Sequence, residues 1–228
     1  MTSGQPLPLT ALALATAIGL ALSLILARPQ TASAHPLGNF TINQHASIHL
    51  TPDGLVLRYV LDMAEIPAFQ ELRLIDQDGD GQVSELERAA YLEGKEEELK
   101  RGLELSLSGM TPKLEVVERD LSFPPGQGGL PTLRVSLLLR ASGPLGQGQA
   151  LYELHFQNRN YPERVGWNEV VVVAGEGVVL RASSVPAQSH SEELRRYPQD
   201  LLQSPPGVRE ARASYIVLEP AGGQGPAP

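Results

Sequence analysis

The chain has 228 residues, with 18 Lys and Arg against 26 Asp and Glu and no cysteine. Without cysteine there is no disulfide framework and no thiolate site, which excludes structural zinc of the cysteine type and thiolate copper(I) binding. A formal charge of −8 makes nucleic acid and anionic lipid poor partners and cations good ones, and the overall composition is that of a globular protein with a core to bury.

Leu9 to Ala27 is an uncharged apolar run, followed by Arg28, Pro29 and then Thr31-Ala32-Ser33-Ala34. The last four residues carry the small-x-small pattern after which a signal peptidase cuts. Residues 1–34 are therefore expected to be an export signal, leaving His35 as the first mature residue. The competing expectation is an uncleaved anchor, because the run approaches the length that spans a bilayer and no Lys or Arg precedes it. In both cases the remainder is expected outside the cytoplasm, periplasmic or secreted.

From Asn39 to Leu50 the sequence alternates, with Phe40, Ile42, Ala46, Ile48 and Leu50 on one side and Asn39, Thr41, Asn43, His45, Ser47 and His49 on the other, the pattern of a half-buried strand. Thr51-Pro52-Asp53-Gly54 supplies turn chemistry, and Leu55 to Met63 returns with Leu55, Leu57, Tyr59, Leu61 and Met63 on its apolar side. A β-hairpin is thus expected to open the mature domain. At Glu65-Ile66-Pro67 the spacing changes, and Phe69, Leu72 and Ile75 predict a short helix over Pro67–Leu74. A second helix is predicted from the stripe Leu86, Ala89, Leu92 and Leu99, starting at a capping box of Ser84 and Glu87 and ending near Gly102.

Beyond Gly102 the period returns to two. Strands are expected at Leu103–Ser108, Lys113–Phe123, Thr132–Arg140, Ala150–Phe156, Asn168–Ala174, Gly177–Ser183 and Ala213–Glu219, separated by Gly/Pro-rich turns. Ser189 with Glu192 predicts one further short helix, stopped by Pro198. The fold class is mainly β with an α insertion. It is an antiparallel β-sandwich-like domain over 35–220, with one helix-loop-helix inserted after the first hairpin at 66–101 and a flexible Gly/Pro tail at 221–228.

Between the two predicted helices lies DQDGDGQVSELE, residues 76–87. Calcium takes six to eight hard oxygen ligands, and this dodecapeptide matches D-x-D-x-D-G-x5-E at every defining site. Asp76, Asp78 and Asp80 would each give a carboxylate oxygen and Gln82 its backbone carbonyl. Ser84 would act through a water, Glu87 would bind through both oxygens, and Gly81 would permit the sharp turn. The loop is an EF-hand pattern in a single copy. Sensor EF-hands come in pairs, so a lone one suits a structural or weakly buffering Ca²⁺ site.

Five histidines remain. With cleavage after Ala34, the amino group and imidazole of His35 could chelate Ni²⁺, Co²⁺ or Cu²⁺ together, with His45 or His49 as a further ligand. His45 and His49 share a strand face but stand roughly 13 Å apart at strand rise, too far for both to hold one ion. His155 is expected on the surface, His190 in a loop, and Trp167 in the core. No cysteine nucleophile, G-x-S-x-G elbow or HExxH pair is present, so no enzymatic function is expected.

Four stretches, HPLGNFTIN at 35–43, RYVLDMAEIPAFQE at 58–71, NRNYPERVGWNEVVV at 158–172 and SSVPAQSHSEELRRYPQDLLQSPP at 183–206, together resemble the extracytoplasmic amino-terminal region of some bacterial nickel/cobalt transporters of the NicO type. The resemblance implies a β-rich outer domain serving a membrane-embedded nickel/cobalt transporter component. No further apolar run here is long enough to span a bilayer, so this polypeptide is expected to serve such a system rather than move the ion itself.

Overall fold

The computed structural model describes residues 37–146, 150–202 and 204–218. The opening hairpin is β1 (Ile42–Thr51) and β2 (Gly54–Met63), paired from Ile42 opposite Met63 to Thr51 opposite Gly54. Two helices follow, α1 (Glu65–Ile75) and α2 (Glu85–Arg101). The rest is strand: β3 (Leu103–Leu107), β4 (Glu115–Ser122), β5 (Leu133–Ser142), β6 (Tyr152–Asn158), β7 (Asn168–Ala174), β8 (Val178–Ser183) and β9 (Glu210–Val217). All seven later strands overlap the segments expected as strands, β9 starting three residues earlier at Glu210 and β7 buried at consecutive rather than alternate residues.

The strands form a five-stranded sheet in the order β4-β5-β2-β1-β7 and a four-stranded sheet in the order β3-β6-β9-β8. Every pairing is antiparallel except β1 with β7. Alternate residues of both sheets meet in one core: Ile48, Leu57, Tyr59, Leu137 and Val172 from the first, Leu105, Leu154, Phe156 and Tyr215 from the second. Ala68 and Ile75 of α1 and Leu92 and Leu99 of α2 join the same cluster, each aliphatic side chain of leucine size contributing about 1.5–3 kcal/mol by leaving water. β4 and β8, at the margins of their sheets, each carry a register break, at Val116/Glu118 and Leu180/Ala182 respectively.

Several local expectations change, among them Phe40 and Phe69, which are exposed rather than on the apolar faces of their elements. The stripe of α2 is not Leu86, Ala89, Leu92 and Leu99: Leu86 is 84% exposed and Ala89 is also exposed, while Leu92, Lys95 and Leu99 are buried. Lys95 takes the inward position because its ammonium meets Glu71 of α1, so a charge occupies a place that periodicity reserves for an apolar residue.

The polar face of β1 is not solvated at Asn43 and His45, which are 0% and 1% exposed. Asn43 Oδ1 accepts from Trp167 N at 2.8 Å, and beside His45 a strap over residues 184–202 packs on the sheet, with Leu194 buried against Val60 and Trp167, and Leu37, Tyr197 and Leu201 packed around them as a second, smaller core. Nor does Ser189 start a helix. Its hydroxyl accepts from Glu193 N at 3.1 Å and donates to Glu169 Oε2 at 3.2 Å, and Glu192, Glu193 and Leu194 take left-handed φ of 49°, 60° and 65°. That conformation costs an L-residue roughly 1–2 kcal/mol each. Here it is held by the Arg134 guanidinium, which donates to the carbonyls of Glu193 and Leu194, and by Leu194 N on Ser191 Oγ.

The C-cap of α2 requires glycine for space. A Cβ on Gly102 would strike the amide of Asn160, which itself donates to the Leu99 carbonyl at 2.9 Å. Gly102→Ala is expected to cost about 2 kcal/mol through this overpacking, read as a lower urea midpoint with the same denaturant slope.

Candidate metal centre

Asp76 stands where α1 ends, its N–H still bonded to the Leu72 carbonyl at 2.9 Å. From there the backbone wraps around carboxylates. Gly79 N donates to Asp76 Oδ1 at 2.8 Å and Gly81 N to Asp76 Oδ2 at 3.0 Å; Asp80 N donates to Asp78 Oδ1 at 3.1 Å and Gln82 N to Asp80 Oδ1 at 2.7 Å. Gly81, at φ 80°, makes the reversal between the third aspartate and Gln82.

The result is that one carboxylate oxygen each from Asp76, Asp78 and Asp80 lies within 4.8 Å of the others. Two oxygens on opposite sides of a calcium ion, each 2.3–2.6 Å from it, are separated by about 5 Å. The spacing of the trio is compatible with coordination around one such cation. Its chemistry is also that of a hard cation: three anionic oxygens, half-buried at Asp76 and exposed at Asp78 and Asp80, with no nitrogen or sulfur donor among them.

Glu87 belongs to the same loop but not to that trio. It is the third residue of a capping box: Ser84 N and Ser84 Oγ donate to its Oε2 at 2.9 and 2.8 Å, while Glu87 N donates back to Ser84 Oγ at 3.3 Å. Its Oε1 accepts from Gln77 N at 2.7 Å and Asp78 N at 3.4 Å. The Ser84 N–H, the Ser84 hydroxyl and the Gln77 N–H hold the carboxyl at about 2, well below the ordinary carboxylate range. Glu87 is thus ionised and turned across the loop, closing it from the side of α2. Gln82 and Ser84 are both exposed within it.

The histidines are not brought together. His35 lies outside the described residues. His49 is exposed on β1, opposite Val56 and Val173. His45 sits between Val60 of β2 and Glu169 of β7, fully buried, with Nδ1 3.4 Å from Glu169 Oε2 and neither ring nitrogen in a hydrogen bond. Asp76, Asp78 and Asp80 are the one group of three or more His, Cys, Asp or Glu with converging ligand atoms among the described residues.

Two clusters escaped the sequence. The first is built on Lys95 Nζ, which reaches Glu71 at 3.3 Å and Glu98 at 2.9 Å, while Tyr91 OH donates to Glu71 Oε2 at 2.7 Å. Its signal was Lys95 standing three residues after Leu92 and four before Leu99. The second is Glu169, buried in β7, which accepts from Trp167 Nε1 and Ser189 Oγ at 3.2 Å each, from Ser191 Oγ and from His190 N. Burial works to raise its pKa; the His45 ring, the Ser191 hydroxyl and the His190 N–H outweigh it and hold the carboxyl at about 2. A lone glutamate inside NEVVVVA was the only sign of it.

No protein-family model matches the chain, and no curated protein matches it. Among the described residues, no helix is long and apolar enough to cross a membrane.

Proposed function

We propose that the protein is an exported, non-catalytic calcium-binding domain: a β-sandwich-like scaffold with a single EF-hand between its second and third strands. It serves as the outer or accessory domain of a nickel/cobalt transport system. The observation that carries the calcium reading is the convergence of Asp76, Asp78 and Asp80 within 4.8 Å in a loop flanked by two helices. The complete D-x-D-x-D-G-x5-E spacing supports it as well. In this reading Asp76, Asp78, Asp80, the Gln82 carbonyl and Glu87 bind the ion, with Ser84 behind a water, and Glu87 exchanges its N–H partners for the cation. The transport context rests on the four stretches that resemble NicO-type outer regions.

Titration calorimetry tests the calcium site. The wild-type protein is expected to bind one Ca²⁺ with a dissociation constant of roughly 0.1–1 mM, the range of extracellular modules, and the double variant Asp76→Ala/Glu87→Ala is expected to give no binding heat. Equal heats from the two proteins would end the reading.

A second reading, a periplasmic carrier of nickel, cobalt or copper built on the amino terminus at His35, rests on one observation: Nε2 of the buried His45 ring has no hydrogen-bond partner, while its Nδ1 faces Glu169 Oε2 at 3.4 Å. Mass measurement of the secreted chain, followed by Ni²⁺ titration of wild type and His45→Ala, separates it from the first. A chain that does not begin at His35, or identical nickel affinities, would remove it.

A further inference from the structure

The two helices beside the acidic loop are fastened to each other and to both sheets by buried polar contacts. Lys95 of α2 is 7% exposed. Its ammonium lies 5.4 and 5.9 Å from the ring centres of Tyr91 and Tyr161, donates to Tyr161 OH at 3.2 Å and pairs with Glu71 of α1. Parting α1 from α2 would strip this ammonium of its α1 carboxylate in a site that water reaches poorly, which is the costly way to break an ion pair.

From α2 the contacts continue into residues 158–161, the chain leaving β6. Asn160 Nδ2 donates to the Leu99 carbonyl at 2.9 Å, and Arg159 N to the Gly102 carbonyl at 2.7 Å. The same segment is held from the other side. Gln44 of β1 donates to the Asn160 carbonyl at 3.1 Å, and Arg209, just ahead of β9, donates to the carbonyls of Asn160 and Tyr161 at 2.6 and 3.0 Å. Gln44 Oε1 in turn accepts from Tyr59 OH of β2 and Asn158 Nδ2 of β6 at 2.7 and 2.8 Å. Gln44 and Asn158 are buried polar side chains with their partners in place, so the network is rigid rather than slack.

We propose that occupancy of the acidic loop is coupled, through Lys95 and the 158–161 segment, to the folding of both sheets, and that the ion stabilises the closed helix pair without opening it. The proposal rests on the calcium reading above. A sensor EF-hand opens its helices on binding calcium and exposes an apolar groove; here the helices are clamped by groups that the ion does not touch. A ligand raises the stability of every part of a protein that unfolds together with its site, and of nothing else.

Trp167 is the chain's one tryptophan, fully buried among Val60, Leu194, Leu37, Tyr197 and Leu201, none of which belongs to the loop or to either helix. The experiment follows Trp167 fluorescence through thermal unfolding of the intact chain with and without CaCl₂ at ten times the calorimetric dissociation constant, alongside an apolar-surface dye. The tryptophan transition is expected to rise by about 3–6 °C as a single step, with no increase in dye signal before it, and Asp76→Ala/Glu87→Ala is expected not to shift. Binding heat with an unmoved tryptophan transition, or with dye uptake in the folded state, overturns the coupling and leaves calcium binding standing. Absence of binding heat overturns the calcium reading and the coupling with it.

Discussion

Glu169→Gln is expected to lower stability at neutral pH by about 2–3 kcal/mol and to flatten its dependence on acid, because a carboxyl that buried donors hold well below the ordinary carboxylate range loses its charge. The folded-state pKa is about 2 against an ordinary 4.5, so the unfolded chain takes up the proton first as pH falls. The stabilisation is therefore complete above about pH 4.5 and lost progressively as pH falls towards 2. Glutamine keeps the shape but not the charge that Trp167 Nε1, the two serine hydroxyls and His190 N address. Urea unfolding of both proteins at pH 7, 4 and 2 measures this: the midpoints should differ most at pH 7 and converge at pH 2. Parallel curves would mean that the charge on Glu169 contributes nothing. Other groups face this site as well. Asp62 and Arg58 of β2 and Arg134 of β5 lie on the same side of the sheet, Tyr197 OH donates to Asp62 Oδ2 at 2.9 Å, and Glu193 sits 3.6 Å from Arg58. The comparison with the variant isolates the Glu169 charge from them, together with its contact to the His45 ring, whose Nδ1 lies 3.4 Å from Glu169 Oε2.

Lys95→Met is the second substitution with a large expected effect. Methionine keeps the length of the stem and removes the ammonium, leaving the Glu71 carboxylate, whose side chain is 16% exposed, without its cation. Breaking a buried pair from one side costs roughly 3–5 kcal/mol, and partial exposure of Glu71 places this case at about 3 kcal/mol. The double variant Lys95→Met/Glu71→Gln should recover part of the loss, because the orphaned charge goes with its partner. A double variant less stable than Lys95→Met alone would show that the Tyr91 contact to Glu71, and not the ion pair, carries the clamp. Lys95→Met should also shrink the calcium-induced rise in the tryptophan transition.

What was legible in the sequence and what was not divide along one physical line. A strand in a sheet with one buried face announces itself by alternation, and β2, β5, β6 and β7 lie where Leu55–Met63, Thr132–Arg140, Ala150–Phe156 and Asn168–Ala174 alternate or run apolar. The acidic segment was equally plain as a loop between two helices, since residue type and spacing are local properties of twelve consecutive residues, and one carboxylate oxygen from each of its first three aspartates lies within 4.8 Å of the others. Long-range polar pairing leaves no local trace. Lys95 is an ordinary helix residue until Glu71 is known to face it, and the polar face of β1 looks solvated until a strap more than 130 residues later covers it. Ser189 failed as a helix start for the same reason. The serine-to-glutamate spacing of a capping box is present, but the hydroxyl serves Glu169 and the left-handed residues that follow instead.

The register breaks in β4 and β8 have their own consequence. A sheet margin with free N–H and C=O groups invites another chain to add on, and a bulge that bends the rim, together with charge along it, makes such docking unfavourable. In β4 the irregularity at Val116/Glu118 adjoins Glu118, Arg119 and Asp120, all exposed, and in β8 the irregular position is Arg181, also exposed. The far rim of the larger sheet is shielded differently: Val172 N of β7 donates to the Pro186 carbonyl, and Asn168 bridges to Gly207. Three of the four lateral borders thus discourage strand exchange between copies, a safeguard against fibrous self-association in a chain that has no covalent cross-link to fall back on.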